Sequence, residues 1–121
     1  MKNTGQNGGK SGIDINVESA WAITTSSNNI RVAVIDDGVE NHEDLNGRVL
    51  QGFTPLNANG FGTPTTQNVP GIIIGHGEAC AGIIAASHNT IGIAGVAPNV
   101  QLVNYCALGG NKFSGGLFYV F

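Results

Sequence analysis

The chain is poor in charge, in aromatic residues and in cysteine, and it has no long hydrophobic run. Charged residues make up 11 % of the 121 positions, with a formal net charge of −3. This balance argues against a nucleic-acid surface or a polybasic membrane patch, and no apolar run reaches the roughly 20 residues of a membrane span. We therefore expect neither nucleic acid nor a membrane as a partner. The first residues contain no apolar core of a signal peptide, so any targeting segment of a secreted parent protein is expected outside this chain.

The two cysteines, Cys80 and Cys106, are too few for a disulfide framework and do not have CxxC spacing. A single bridge between them remains open. Each lies in a strongly apolar stretch, which is typical of a buried thiol. Hydrophobic residues make up 41 % of the chain, enough for one modest domain rather than a disordered segment.

Strand and helix patterns alternate along the chain. Residues 1–12, rich in Gly, Asn, Lys and Ser, predict a flexible entry, and residues 13–121 predict the folded part. The predicted elements are a helix over Val17–Ile23 capped by Asn16, a strand over Ile30–Ile35 buried on both faces, a short strand over Arg48–Phe53, a helix from His76 to about Ser87, and a strand over Val100–Leu108. Leu56–Val69 and Gly109–Gly116 are predicted to be loops. The alternation indicates an α/β fold with a parallel sheet.

An acid and a base lie at the ends of two of these elements. Asp36 is the residue that follows the first predicted strand, and in parallel α/β sheets the binding and active sites lie at the carboxyl ends of the strands. His76 opens a helix whose N-terminal dipole disfavours the imidazolium, so we expect a neutral ring that can accept a proton. The alternatives are a turn-forming Asp36 and a helix-capping His76. His42 and His88 lie in polar loops and are expected to be solvated.

Three motifs in order resemble those of the subtilisin-like serine peptidases (subtilases). They are Val32–Val39 followed by His42–Leu45, then His76–Ala86, then Gly92–Pro98. The resemblance covers roughly residues 14–108. It implies a doubly wound parallel α/β sheet that is incomplete at its C-terminal side, a polypeptide substrate, and a secreted or cell-surface location.

The resemblance also implies roles for Asp36 and His76 as the acid and the general base of a Ser-His-Asp triad. The nucleophilic serine of the family lies in a downstream Gly-Thr-Ser motif, and a separate Asn stabilises the oxyanion. Neither motif is present in these 121 residues. The expected identity is thus the N-terminal portion of a peptidase domain, over residues 13–121, that is inactive alone.

Three positions depart from the usual subtilase motifs. Asp37 stands where the family usually has Ser or Thr, Glu78 where it has Thr, and Ala79 where it often has a second His. If Glu78 points inward, it should favour protonated His76. The alternative is a surface acid that complements the dipole in the first helical turn. Cys80 is expected beneath the histidine, where several subtilases keep a thiol.

The resemblance further implies a calcium site. On this alignment the carboxylate of Asp44, the amide oxygen of Asn89, and the backbone carbonyls of Ser87, Ile91 and Ile93 face the ion. Ligation by oxygen alone suits Ca²⁺ rather than zinc. A loop that binds no ion is the alternative.

The glycine-rich stretch Gly109–Gly116 lies where subtilases pair a sheet edge with an extended substrate. Ser114 and Gly115 are therefore candidate substrate-binding residues, although a plain loop is an equal alternative. Two other functions remain open. One is a non-catalytic peptide-binding remnant of the same fold, and the other is an unrelated α/β domain that binds Mg²⁺ through Asp36 and Asp37.

Overall fold

A computed structural model describes residues 2–53 and 75–107 of the chain. Its helices and strands in chain order are α1 (Val17–Trp21), β1 (Arg31–Asp36), β2 (Val49–Phe53), α2 (His76–Ala85) and β3 (Gln101–Cys106). Short 3-10 turns occur at Gln6–Gly8 and Glu43–Leu45. The loops predicted over Leu56–Val69 and Gly109–Gly116 lie outside the described residues. No helix of the described part is long and apolar enough to cross a membrane.

The three strands form a parallel sheet with the order β1-β3-β2. β1 pairs with β3 in continuous register from Arg31 opposite Gln101 to Asp36 opposite Cys106. β2 also runs parallel to β3, with one irregularity between Leu50 and Phe53. All three carboxyl ends therefore lie at one edge of the sheet. The predicted parallel α/β fold is confirmed.

Helix α2 covers one face of the sheet, contacting β1 and β3. Val34 and Leu102 point from the strands toward Ala81 and Ala85 of the helix, and all four side chains are buried in one core cluster. Alanine at the contact positions lets the helix approach the sheet closely, as the many small residues of its sequence predict. The tight contact fixes the position of the first residue of α2 relative to the end of β1.

Among the described residues, no helix or strand covers the opposite face of the sheet. Ile35 is 67 % exposed, Phe53 53 % and Tyr105 38 %, and Tyr105 is the register partner of both other residues. We call this apolar row the open face. The prediction that β1 is buried on both faces is wrong for the described residues. Exposure alternates along β1 because, in the described part of the chain, α2 covers only one face of the sheet. Burial of β1 on both faces would need a second covering layer.

The predicted helix boundaries are too long. α1 ends at Trp21 rather than Ile23, whose side chain is 86 % exposed, and α2 ends at Ala85 rather than about Ser87. Asn16 precedes α1 in a left-handed conformation, with φ of 52°, and makes no side-chain cap bond to the backbone. Its Oδ1 instead accepts a hydrogen bond from the hydroxyl of Ser19 at 3.1 Å. The flexibility predicted for residues 1–12 stays a prediction.

Candidate active site

The acid and the base predicted from sequence are in direct contact. Asp36 ends β1 and His76 begins α2, and Oδ2 of the carboxylate lies 2.8 Å from Nδ1 of the imidazole. The Asp36 side chain is 13 % exposed, whereas that of His76 is 74 % exposed. The other carboxylate oxygen, Oδ1, accepts the N–H of Asp37 at 2.8 Å. Asp36 is therefore oriented by its own strand end, and the imidazole is held on one side and open on the other.

The pKa of His76 lies above its ordinary value. The main cause is the hydrogen bond with Asp36, reinforced by the charge of that carboxylate and, more weakly, by the charge of Asp37. The carboxylate thus shifts the pKa of His76 in the direction opposite to that expected from the helix dipole. A carboxylate in contact with the ring outweighs the partial charge of the helix end.

Asp37 caps the start of α2 from a different element. Its Oδ2 accepts the N–H groups of Gly75 and His76, each at 3.0 Å, and its Oδ1 accepts the N–H of Gly77 at 2.7 Å. Burial by itself raises the pKa of Asp37, but these three hydrogen bonds outweigh it, so the pKa lies below its ordinary value. Gly75 occupies the N-cap position without a capping side chain. Asp37 therefore binds N–H groups that have no partner within the helix, among them that of Gly77, which a Ser or Asp at the N-cap could also bind.

Gly77 allows this close approach. It is buried, and a Cβ atom there would press against the carbonyl oxygen of Gly38 while lying 2.9 Å from Asp37 Oδ1 and 3.0 Å from Asp36 Cβ. A side chain at this position would therefore push the start of α2 away from the end of β1. Close packing between α2 and the end of β1 therefore explains why the residue after His76 is glycine, without reference to any sequence motif.

A buried asparagine on β3 holds the backbone that follows Asp37. Asn104 is 2 % exposed. Its Oδ1 accepts the N–H of Val39 at 3.0 Å, and its Nδ2 donates to the carbonyl of Val39 at 2.7 Å. A buried amide with both partners satisfied fixes a chain segment firmly. The sequence analysis missed this role of Asn104. The available signal was a polar residue within an apolar strand, and that signal does not say which backbone segment the side chain binds.

Glu78 turns toward the loop after β1. Its Oε2 accepts the N–H of Glu40 at 2.7 Å. Burial raises the pKa of Glu78, and the hydrogen bond from Glu40 opposes that shift. Glu78 therefore does not point toward His76, as the inward orientation would require. The carboxylates that raise the pKa of His76 are those of Asp36 and Asp37. Glu78 is also not a plain surface acid, since it ties α2 to the loop that carries Glu40.

Both cysteines are thiols, and they do not form the bridge that the sequence left open. Cys80 is half-buried, and its Sγ lies 3.7 Å from Nδ1 of His76. This is the position beneath the histidine that the resemblance implies. Cys106 is buried and donates to the carbonyl of Asp37 at 3.1 Å.

The residues of the predicted calcium site make hydrogen bonds around Asp44, which is 5 % exposed, but through N–H and hydroxyl groups rather than through the predicted ligand oxygens. Asp44 Oδ2 accepts the N–H of Ile93 at 3.1 Å, and Oδ1 accepts the Nδ2 of Asn89 at 3.2 Å. The Oδ1 of Asn89 accepts the N–H of Ile91 at 2.8 Å, and Ser87 donates both its N–H and its hydroxyl to the Asp44 carbonyl at 2.8 Å. The set is rich in oxygen, as Ca²⁺ requires. In this arrangement, however, N–H donors face the carboxylate.

The other two histidines make different contacts. His42 accepts the N–H of Asp44 at its Nδ1, at 3.1 Å. His88 lies with Nε2 3.0 Å from the carbonyl of Gly95 and packs edge-on against Trp21, with ring centroids 4.2 Å apart. Both residues are exposed, as expected for loop histidines, and His88 is in addition held by these two contacts.

The candidate substrate-binding residues Ser114 and Gly115 lie outside the described residues. The described part of the candidate site thus consists of Asp36, Asp37, His76 and their supporting groups at the carboxyl edge of the sheet.

The chain belongs to the subtilase family. The Peptidase_S8 family model matches residues 27–118, which include the whole sheet and both site residues. Among similar proteins, an alkaline protease of Alkalihalobacillus alcalophilus is 44 % identical over 80 residues, covering 66 % of this chain and 18 % of that protein. Neuroendocrine convertase 2 of Drosophila melanogaster is 38 % identical over 101 residues, covering 79 % of this chain and 15 % of the convertase.

A solved structure shows the same fold. The Aeromonas sobria serine protease, crystallised in complex with its chaperone ORF2, is similar with a TM-score of 0.71 and 34 % sequence identity, covering 88 % of this chain and 17 % of the solved chain. The subtilisin-like α/β fold is therefore present in incomplete form. The chain spans less than a fifth of the length of the proteins compared here.

Proposed function

We propose that this chain supplies the acid and the general base of a serine endopeptidase, Asp36 and His76. The observation that supports it most is the 2.8 Å contact between Asp36 Oδ2 and His76 Nδ1 at the carboxyl edge of the sheet. Membership of the subtilase family supports serine peptidase chemistry on a polypeptide substrate. From the family resemblance we also propose a secreted or cell-surface location.

In the proposed mechanism His76 Nδ1–H keeps its proton and donates a hydrogen bond to the Asp36 carboxylate, which leaves the unprotonated Nε2 to accept a proton. His76 takes the proton of a serine hydroxyl as that oxygen attacks the peptide carbonyl, and later gives it to the leaving amine. Asp36 holds the tautomer and stabilises the imidazolium. These are the roles of the corresponding residues in subtilisins. The serine and the oxyanion-stabilising Asn come from outside these 121 residues, so we expect the chain alone to be inactive.

Substrate binding is proposed to involve Ser114 and Gly115. A glycine-rich edge would let an extended peptide approach the backbone, with main-chain hydrogen bonds supplying affinity. The test is a peptide-binding measurement with Gly115→Pro. This change removes an N–H donor and should weaken binding, whereas equal binding would argue for a plain loop.

The test of the catalytic proposal begins with the coding sequence beyond Phe121. A downstream Gly-Thr-Ser motif supports the peptidase, and a stop codon there supports the peptide-binding remnant. In a longer protein that contains the serine, His76→Ala should lower turnover about a millionfold and Asp36→Asn about 10⁴-fold, the losses seen for the same roles in other serine peptidases. Asp14→Asn, an exposed acid far from the site, is the matched control. Similar peptidase activity in His76→Ala, Asp36→Asn and Asp14→Asn would contradict the proposed roles of Asp36 and His76.

The structure disfavours the Mg²⁺ alternative. The oxygens of Asp36 accept hydrogen bonds from Asp37 and His76, and those of Asp37 accept three backbone N–H groups. Mg²⁺ would have to replace these donors and keep near-ideal octahedral geometry. A Mg²⁺ titration that leaves the amide signals of Asp36 and Asp37 unmoved removes this alternative.

We further propose that a calcium ion binds at Asp44 with Ser87, Asn89, Ile91 and Ile93. The buried Asp44 carboxylate and the oxygen-rich loop support this proposal. The Asn89 side chain donates its Nδ2 to Asp44, so on binding it would have to turn its amide oxygen toward the ion beside Asp44. When bound, Ca²⁺ would clamp this loop to the turn that carries Asp44. Chelation should then speed the exchange of the backbone amides of residues 87–93 in the unaltered chain and leave Asp44→Asn unchanged. Amide exchange that does not depend on Ca²⁺ would favour the loop without an ion.

A further inference from the structure

Three side chains of different chemistry meet at the Nδ1 atom of His76. Asp36 Oδ2 lies 2.8 Å from this atom and Cys80 Sγ lies 3.7 Å from it, and the three ligand atoms all lie within 4.8 Å of one another. His76 and Cys80 are four residues apart in α2, so they project from the same side of the helix. Asp36 faces them from the end of β1. An oxygen, a nitrogen and a sulfur ligand therefore surround one point.

We propose that Asp36, His76 and Cys80 form a binding site for a divalent cation of the zinc class. Tetrahedral zinc with bonds of about 2.0–2.1 Å to oxygen and nitrogen and about 2.3 Å to sulfur sets its ligand atoms roughly 3.3–3.6 Å apart. The separation of Cys80 Sγ from His76 Nδ1 already matches this spacing. That of Asp36 from His76 needs to widen by about 0.5 Å, which a change of side-chain torsion can supply.

The ligand types select the metal. Thiolate and imidazole favour zinc-class ions over Ca²⁺ and Mg²⁺, which prefer oxygen. The exposed His76 ring lets an ion enter from solvent, and three protein ligands leave a fourth position for water. Asp36 Oδ1 stays bound to the N–H of Asp37, an outer contact of the kind that orients metal ligands.

Metal binding and the Asp36–His76 hydrogen bond exclude each other. On binding, Cys80 loses its thiol proton to solvent. A neutral His76 also releases its Nδ1 proton to solvent and takes one from solvent on Nε2, so that Nδ1 can bond to the ion. Nδ1 then has no proton to donate to Asp36. The ion would therefore block the general base; this consequence rests on the proposed peptidase function, whereas the metal site itself does not.

A Cd²⁺ titration of the 121-residue chain tests the site directly. It is followed by the thiolate-to-metal charge-transfer absorption, with a reductant that is not a thiol and with excess Ca²⁺ to fill any oxygen-lined site. We expect one Cd²⁺ per chain, with the band lost in Cys80→Ser and binding about tenfold weaker or worse in His76→Ala and Asp36→Ala. The matched control Cys106→Ser should keep the band. No band in the unaltered chain, a band in Cys80→Ser, or unweakened binding in His76→Ala overturns the proposal.

A second measurement covers variants that fold poorly. Zn²⁺ should slow alkylation of Cys80 in the unaltered chain and leave the alkylation rate of Cys106 unchanged, as read by mass spectrometry of labelled peptides. In urea the protection of Cys80 should disappear. Protection that persists in urea, or that is absent in buffer, contradicts the site. Neither experiment uses peptidase activity, so the metal site and the proposed function can fail independently.

Discussion

Asp37 joins the end of β1 to the start of α2 through one carboxylate. Its hydrogen bonds to the N–H groups of Gly75, His76 and Gly77 hold the backbone of His76 in place beside Asp36. Its folded pKa lies below the ordinary value. The stabilisation it provides is therefore present above the unfolded pKa of about 3.9 and is lost as the pH falls through the folded pKa.

Removing this carboxylate should loosen the first turn of α2. In Asp37→Ala we expect backbone amides at the start of the helix to exchange with solvent about 10- to 100-fold faster, the equivalent of roughly 1–3 kcal/mol for buried N–H groups left unpaired. Asp14→Ala is the matched control, because Asp14 also accepts two backbone N–H groups but is exposed. Equal effects of the two substitutions on α2 would show that Asp37 is not its cap.

The titration of His76 should depend on Asp36. Because the carboxylate raises the pKa of His76, the pair stabilises the fold fully below the unfolded histidine pKa of about 6.5. That contribution is lost as the pH rises through the folded pKa. Asp36→Asn should lower the pKa of His76, measured by NMR of the ring protons in metal-free buffer. The same pKa in the variant and the unaltered chain would contradict the contact.

At the scale of elements, α2 contains two glycines in different surroundings. Gly77 faces the carbonyl of Gly38 with no room for a Cβ atom, whereas a Cβ atom on Gly82 would meet only Ile93 Cδ1, at 3.6 Å. The first glycine is required by the contact between α2 and β1. The second is a helix-interior glycine with no steric reason for its presence.

The two glycines should therefore respond oppositely to alanine. Gly82→Ala should raise the free energy of opening α2 by about 0.5–1 kcal/mol, because alanine restricts the unfolded chain and favours helix. Gly77→Ala should lower it and weaken the Asp36–His76 contact. Amide exchange in α2 measures both effects from one pair of samples. Stabilisation by both substitutions would mean that the two elements are not in close contact.

Elements with a local signal were predictable from the sequence. The β-branched run before Asp36 predicts β1, the change of pattern at His76 predicts α2, and placement at a strand end and a helix start predicts that the two residues meet. The helix cap by Asp37 and the backbone contact of Asn104 were not predictable. Their partners lie 38 to 40 and 65 residues away, and no local pattern encodes such contacts.

At the scale of the whole molecule, the open face of Ile35, Phe53 and Tyr105 is the dominant feature. In a doubly wound fold a second layer covers this side of the sheet, and in the described residues it contacts solvent. An apolar row across three strands favours association with other apolar surfaces.

We therefore expect the isolated chain to be aggregation-prone or partly molten. It should bind a hydrophobic dye and sediment heterogeneously. Ile35→Lys, which places a charge on the most exposed residue of the open face, should reduce both effects, whereas Ile23→Lys, at an exposed position outside the sheet, should not. A sharp cooperative unfolding transition in a monomer would contradict this expectation.

The strand order has a consequence for the time at which the site can form. β3 is the central strand, and its Cys106 pairs with Asp36, so the neighbour of β1 is synthesised some seventy residues after it. Such distant pairings form slowly, because a long loop must close before they add stability. During synthesis, the acid and the base therefore emerge well before the strand that holds them together. The sheet closes only when β3 has left the ribosome.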